Sequence, residues 1–204
     1  MTTHTIRART AGPSGVPAGP SQPRTPIVPN GVLGMLIFVI VEAMMFAGLI
    51  SAFVIVQAAA VGSWPPPGQP RLPAGETAIN TVALLLSGVA LLFAQRSFRS
   101  EPARALRPLL VSILLGAFFV LFQGAEWVAL IGRGLTLTSS THGSFFYLIV
   151  GMHGLHAVAA LGLLAFIAWR LQQGRLTQDL LSAGQVFWYF VVGLWPILYI
   201  QVYL

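Results

Sequence analysis

The sequence predicts an all-α integral membrane protein, a bundle of five transmembrane helices. Two observations carry that prediction. Of its 204 residues, 56% are hydrophobic and only 8% charged, a balance that a soluble domain of this length does not tolerate. Apolar runs near residues 32–61, 77–95, 108–132, 145–169 and 184–204 are also long enough, or nearly so, for the ~20 helical residues that cross a hydrocarbon core. The mean hydropathy of +0.80 points the same way. The eleven basic residues are all arginine, set against five acids for a formal charge of +6. They lie between the apolar runs, where basic residues set membrane orientation, and do not gather on a face that would bind nucleic acid. The absence of cysteine excludes disulfides, thiolate metal sites and iron–sulfur clusters.

Residues 1–30 are rich in Pro, Gly, Ser and Thr and read as a disordered cytoplasmic tail ahead of a membrane domain over 31–204. The first apolar run begins near Val32, too late and too long for a cleavable signal, so it is expected to remain as a spanning helix. A proline-rich loop, "GSWPPPGQPRLPAGE", leads to the second run. There Asn80 and Thr81 are placed to cap the helix start, and Ala83, Ser87, Ala90 and Ala94 form a small-residue stripe suited to close helix packing. "RSFRSEPARALR" leads to the third run, which carries Gln123 and Glu126 on one face. "GRGLTLTSST" precedes the fourth, with its "GMHGLH", and "RLQQGRLTQD" precedes the fifth. Connections this short make successive helices antiparallel neighbours.

Arg7, Arg9, Arg24, Arg96, Arg99, Arg104, Arg107, Arg170 and Arg175 fall on one side of this topology, and Arg71 and Arg133 on the other. The arginine-rich side is the cytoplasmic one, so the N-terminus is expected inside and the C-terminus in the periplasm or outside. Trp64 and Trp127 at the outer boundary and Trp169 at the inner one suit an aromatic belt.

Ionisable groups at membrane depth mark a function or a specific partner. With a rise of ~1.5 Å per residue, Glu42 and His156 both fall near the midplane, while Glu126 and His153 share a shallower outer level. His153 and His156 are three residues apart and project from nearly the same side of their helix, with Gly151 and Gly154 leaving room for a neighbour. The depths predict two interhelical pairs, Glu42 with His156 and Glu126 with His153, because an acid and an imidazole retain polarity in hydrocarbon at lower cost when paired. Glu42 and His156 found more than one water apart would defeat that reading. A metal site of two His and two Glu, and a proton relay through Glu42, are the rival readings. Two histidines three residues apart on one helix cannot ligate opposite faces of a single haem.

These residues carry a resemblance. "GMLIFVIVEAMMFAGLISAF" with Glu42, "INTVALLLSGVALLFA" with Asn80, Thr81 and Ser87, and "LLGAFFVLFQGAEW" with Gly116, Gln123 and Glu126 resemble subunit III of the haem-copper terminal oxidases. The most specific block is "HGSFFYLIVGMHGLHAVAALG", which contains His153 and His156, and "FWYFVVGLWPILYIQVYL" follows with Trp188 and Trp195. The order and spacing hold from about residue 31 to 204, in the short five-helix form found in many bacteria. Departures are Tyr189, Phe190, Val191 and Val192, where the family often has His-Phe-Val-Asp, and Ala129 in place of a second acid.

The resemblance implies an accessory subunit of a respiratory enzyme, with no catalytic, cofactor-binding or metal-ligating residue of its own. Haem and copper are then expected in the partner chains. Its partners are expected to be the catalytic subunit I, with subunit II in the same complex, and bound membrane phospholipid, in a bacterial cytoplasmic membrane. Support of proton uptake during aerobic electron transport is the role it implies. A homologous accessory subunit of a nitric oxide reductase, or a self-contained transporter or enzyme built on the Glu/His cluster, are the alternatives. No internal repeat of the kind transporters carry is evident.

Overall fold

The computed structural model describes residues 29–60, 64, 70 and 72–203. The tail expected over 1–30, apart from Pro29 and Asn30, lies outside the described residues, as does most of the proline-rich loop. Five helices are long and apolar enough to span a membrane, and no strand occurs among the described residues. They are α1 (Asn30–Ala59), α2 (Ala74–Ser100), α3 (Leu106–Gly132), α4 (Thr141–Gln172) and α5 (Gln178–Leu198). A 3-10 turn, Pro102–Ala105, leads into α3, and the wider π turn Tyr199–Tyr203 continues α5 just past Pro196. Proline there supplies no N–H to the helix ladder, a common reason for a local change of helical pitch.

Local chemistry sets several ends. The side chains of Ser140 and Thr177 accept from the backbone N–H groups of Gly143 and Leu180 at the starts of α4 and α5. Gly134 and Gly174, with φ of 89° and 66°, take the left-handed conformation that closes α3 and α4. Helices run past their apolar runs at several ends. α2 starts at Ala74 and continues through Arg96 and Arg99, and α4 continues through Arg170. Hydropathy marks only the hydrocarbon-embedded stretch, whereas backbone hydrogen bonding carries the helix on into the interface.

α2 packs against α3, α3 against α4, α4 against α5, and α5 back against α2, enclosing a core that includes Trp188, Trp195, Phe119, Phe146, Leu84 and Leu91. α1 stands outside this ring, packed chiefly on α5 and also on α4. This corrects the expectation that successive helices are all neighbours. Residues 60–73 form the longest connection in the chain, able to reach up to ~45 Å when extended, so α1 is free to choose a partner distant in sequence. Only 11% of the apolar stretch of α1 is buried within the chain, against 28–44% for the other four, and Ile37, Ile40, Val41 and Met44 point outward.

Candidate functional site

The polar side chains of the membrane segment gather at three contacts between helices. The deepest joins α1 to α4. Nε2 of His156 lies 3.1 Å from Oε2 of Glu42, across 114 residues of sequence. Nδ1 of the same ring is 2.8 Å from the carbonyl of Met152, one turn earlier on α4. A carbonyl only accepts, so Nδ1 carries a hydrogen, and the Nε2···Oε2 contact then holds one further proton. Whether that proton resides on nitrogen or oxygen, the pair as a whole is uncharged. That suits its setting, because Phe38, Phe46, Phe187 and Phe190 surround the imidazole with ring centroids 5.6–6.3 Å away.

The second contact joins α2, α3 and the chain's last turn. Glu126, 7% exposed, faces the Thr77 hydroxyl at 3.1 Å through both carboxyl oxygens and accepts from Gln123 Nε2 at 2.8 Å. The second Gln123 amide hydrogen goes to the Tyr203 hydroxyl at 2.8 Å, so this network also anchors the π turn after α5.

Glu126 therefore does not pair with His153, contrary to the depth-matched expectation. His153 is 1% exposed, tilted over Trp195 at a centroid distance of 5.1 Å, and neither of its ring nitrogens has a hydrogen-bond partner. Depth estimates fix height along the membrane normal but not rotation about the helix axis. Rotation turns His153 toward Trp195 and Phe46, while Thr77, unnoticed in the sequence, reaches Glu126 first. The Gln123–Glu126 bond was readable from their i, i+3 spacing.

The third contact docks α5 on α2. Trp195 Nε1 donates to Thr81 Oγ1 at 2.8 Å and Trp188 Nε1 donates to Ser87 Oγ at 3.1 Å. Each hydroxyl passes its own hydrogen to a backbone carbonyl of α2, Thr77 and Leu84 respectively. Asn80 and Thr81 are thus not caps, because α2 begins six residues before Asn80, at Ala74. Asn80 instead donates to the Phe119 carbonyl of α3 at 3.1 Å. The two glycines beside the histidines differ. A Cβ on Gly154 would come within 3.1 Å of the Trp127 ring on α3, whereas one on Gly151 would meet nothing within 4 Å, so Gly151 eases no close approach within this chain. Gly116, which sequence reasoning passed over as a packing position, seats Trp188, whose ring would lie 2.6 Å from an added Cβ.

Among the described residues, no group of three or more His, Cys, Asp or Glu side chains is arranged to hold a metal ion. The fold and these contacts define a multi-pass helical membrane protein whose intramembrane polar groups mainly bind one helix to another. The family model for cytochrome c oxidase subunit III matches residues 21–204, and the chain belongs to that family. It is 36% identical over 180 residues to cytochrome c oxidase subunit 3 of Emericella nidulans, covering 84% of this chain and 66% of that protein. Its identity to the Lemur catta protein of the same name is 32% over 189 residues, covering 88% of this chain and 68% of the relative. The Oryctolagus cuniculus protein is also 32% identical over 189 residues, with 71% of its length covered. The chain thus spans about two thirds of the length of these curated relatives.

Proposed function

We propose that this chain is the cofactor-free accessory subunit III of a respiratory haem-copper oxidase. In this reading it packs beside the catalytic subunit I, with subunit II in the same complex, in a bacterial cytoplasmic membrane with its N-terminus inside. Redox chemistry belongs to the partner chains, and this chain stabilises subunit I, retains phospholipid and supports proton uptake during turnover. Family membership supports the accessory assignment. The observation that carries it into this chain is the use of its intramembrane acids: Glu42 meets His156, and Glu126 meets Thr77 and Gln123. Acids engaged in this way are joints between helices.

The test is gentle purification of the native complex, with the partner chains identified and the haem spectrum recorded. Co-purification with a haem- and copper-bearing oxygen-reducing subunit is the expected result. Isolation without a haem-bearing partner would sink the proposal, and a nitric-oxide-reducing partner would move it to the related reductases. Glu42→Ala should loosen α1 from α4 and weaken subunit association while leaving the haem spectrum unchanged. A bleached spectrum in an intact complex would contradict the accessory role.

A further inference from the structure

A cavity of about 290 Å³ lies between α3 and α4, beside the gap left by Gly124 and Gly151. A Cβ on either glycine would meet nothing within 4 Å. Leu155 and Val158, both exposed, form part of its rim, and the fully buried Trp195 of α5 closes it from behind. Phe119, Trp127 and His153 supply the other ring-bearing walls.

Two polar side chains line this space with unspent hydrogen-bonding capacity. Both ring nitrogens of His153, 1% exposed, and Oε1 of Gln123, 5% exposed, are buried without a partner. Buried polar atoms are ordinarily paired, so three unpaired ones on residues about one cavity call for an occupant. A neutral imidazole offers one donor and one acceptor, and an amide oxygen only accepts. The complementary group must therefore both donate and accept, as a hydroxyl does.

Size, charge and depth narrow the class. No charged residue lines the cavity, and His153 stands twelve residues into α4, about 18 Å along a helix of about 48 Å. That is well inside the ~30 Å of hydrocarbon, where an ionic headgroup has no counterpart. Water would satisfy the polar atoms, but one molecule takes about 30 Å³, and the apolar walls would leave most of the remaining space dry. An alkyl chain would fill the space and leave the polar atoms unpaired. A flat ring carrying hydroxyls does both, with its faces and edges against aromatic walls.

We propose that this cavity binds the ring of a membrane quinol. Its hydroxyls exchange hydrogen bonds with His153 and Gln123, the ring lies among Phe119, Trp127 and Trp195, and the apolar tail leaves between α3 and α4 past Leu155 and Val158. The site requires only that α3 and α4 span a membrane, so it stands or falls separately from the accessory-subunit reading.

The full-length chain, with whatever subunits purify with it, is freed of quinone in detergent and placed in phosphatidylcholine nanodiscs. Binding of decylubiquinol is measured without oxygen, so that the probe stays reduced, and an azido derivative of the same quinol maps the site by photo-cross-linking. Binding should be saturable, with cross-links in residues 119–127 and 150–158 of this chain. Decylubiquinone should bind more weakly, because its carbonyls only accept and leave Gln123 Oε1 unpaired. His153→Phe should weaken quinol binding about three- to tenfold, the worth of a hydrogen bond or two. Gly151→Leu, which puts a side chain into the gap, should abolish it, and Gly162→Leu, further along α4 in open space and away from the cavity, should leave it unchanged. Cross-links confined to a partner chain, quinol binding undiminished in both His153→Phe and Gly151→Leu, or equal competition by decanol would overturn the proposal. So would a partner subunit's side chain, or water alone, found in the cavity.

Discussion

The contact between Glu42 and His156 adds a polar tie to α4 for a helix otherwise packed chiefly on α5. Interhelical hydrogen bonds in membranes contribute about 0.6–2 kcal/mol. A double-mutant cycle with Glu42→Leu and His156→Phe should therefore return a coupling of about 1–2 kcal/mol in thermal or denaturant unfolding of the detergent-solubilised chain. Either single variant should be less stable than the double one, because each leaves a polar group buried opposite hydrocarbon. Additive single effects would mean that the two side chains act independently. His153 makes the opposite prediction. With no hydrogen bond to lose, His153→Phe should leave stability unchanged or raise it, since replacing an unsatisfied buried polar ring by an apolar one of similar shape removes a desolvation penalty. A large destabilisation there would reveal a partner for the imidazole beyond this chain's own side chains.

For the helices, α2 acts as the common seat. Its Thr81 and Ser87 hydroxyls receive the two indoles of α5, Asn80 holds the backbone of α3, and Thr77 meets Glu126. The fit depends on backbone space as much as on hydrogen bonds. Gly116→Ala forces a methyl onto the fully buried Trp188 ring and should destabilise the bundle by about 1–3 kcal/mol, as overpacking of a close-fitted core does. Gly151→Ala, in open space, should be neutral or slightly stabilising, since alanine is the better helix former. Thermal midpoints of the two variants, measured side by side, test this directly. Equal effects would show that the α3–α5 contact tolerates expansion.

The whole molecule is a compact ring of four helices with a fifth attached at its side. The outward apolar face of α1 must be covered by lipid or by another membrane-embedded chain, and an accessory subunit of a larger complex has need of such a face. The distribution of arginines predicts which way the whole assembly faces. Because the chain has no cysteine, single substitutions report orientation without background. Arg175→Cys, in the α4–α5 turn, should react with an impermeant maleimide only in inside-out vesicles, and Thr138→Cys, in the α3–α4 loop, only in right-side-out ones. The reverse pattern would invert the topology.

The helices were legible in the sequence because each is a self-contained solution to life in hydrocarbon. A run of apolar residues long enough to span must satisfy its own backbone, and only a helix does so without neighbours. The family, too, could be read from the order of its blocks. The positions of individual side chains around each helix were not. Depth along the membrane normal follows from counting residues, and it brought Glu42 and His156 to the same level. The partner at that level depends on how each helix is rotated and which helix stands beside it, and these are set by packing of many side chains at once. Rotation gave Glu126 to Thr77 and left His153 against Trp195. The long connection before α2 let α1 settle on α5 in place of its neighbour in sequence. The sequence by itself determined five spanning helices and the polar groups they carry. Tertiary packing alone decided which of those groups meet, because interhelical contacts are a property of the assembled bundle and not of any one segment.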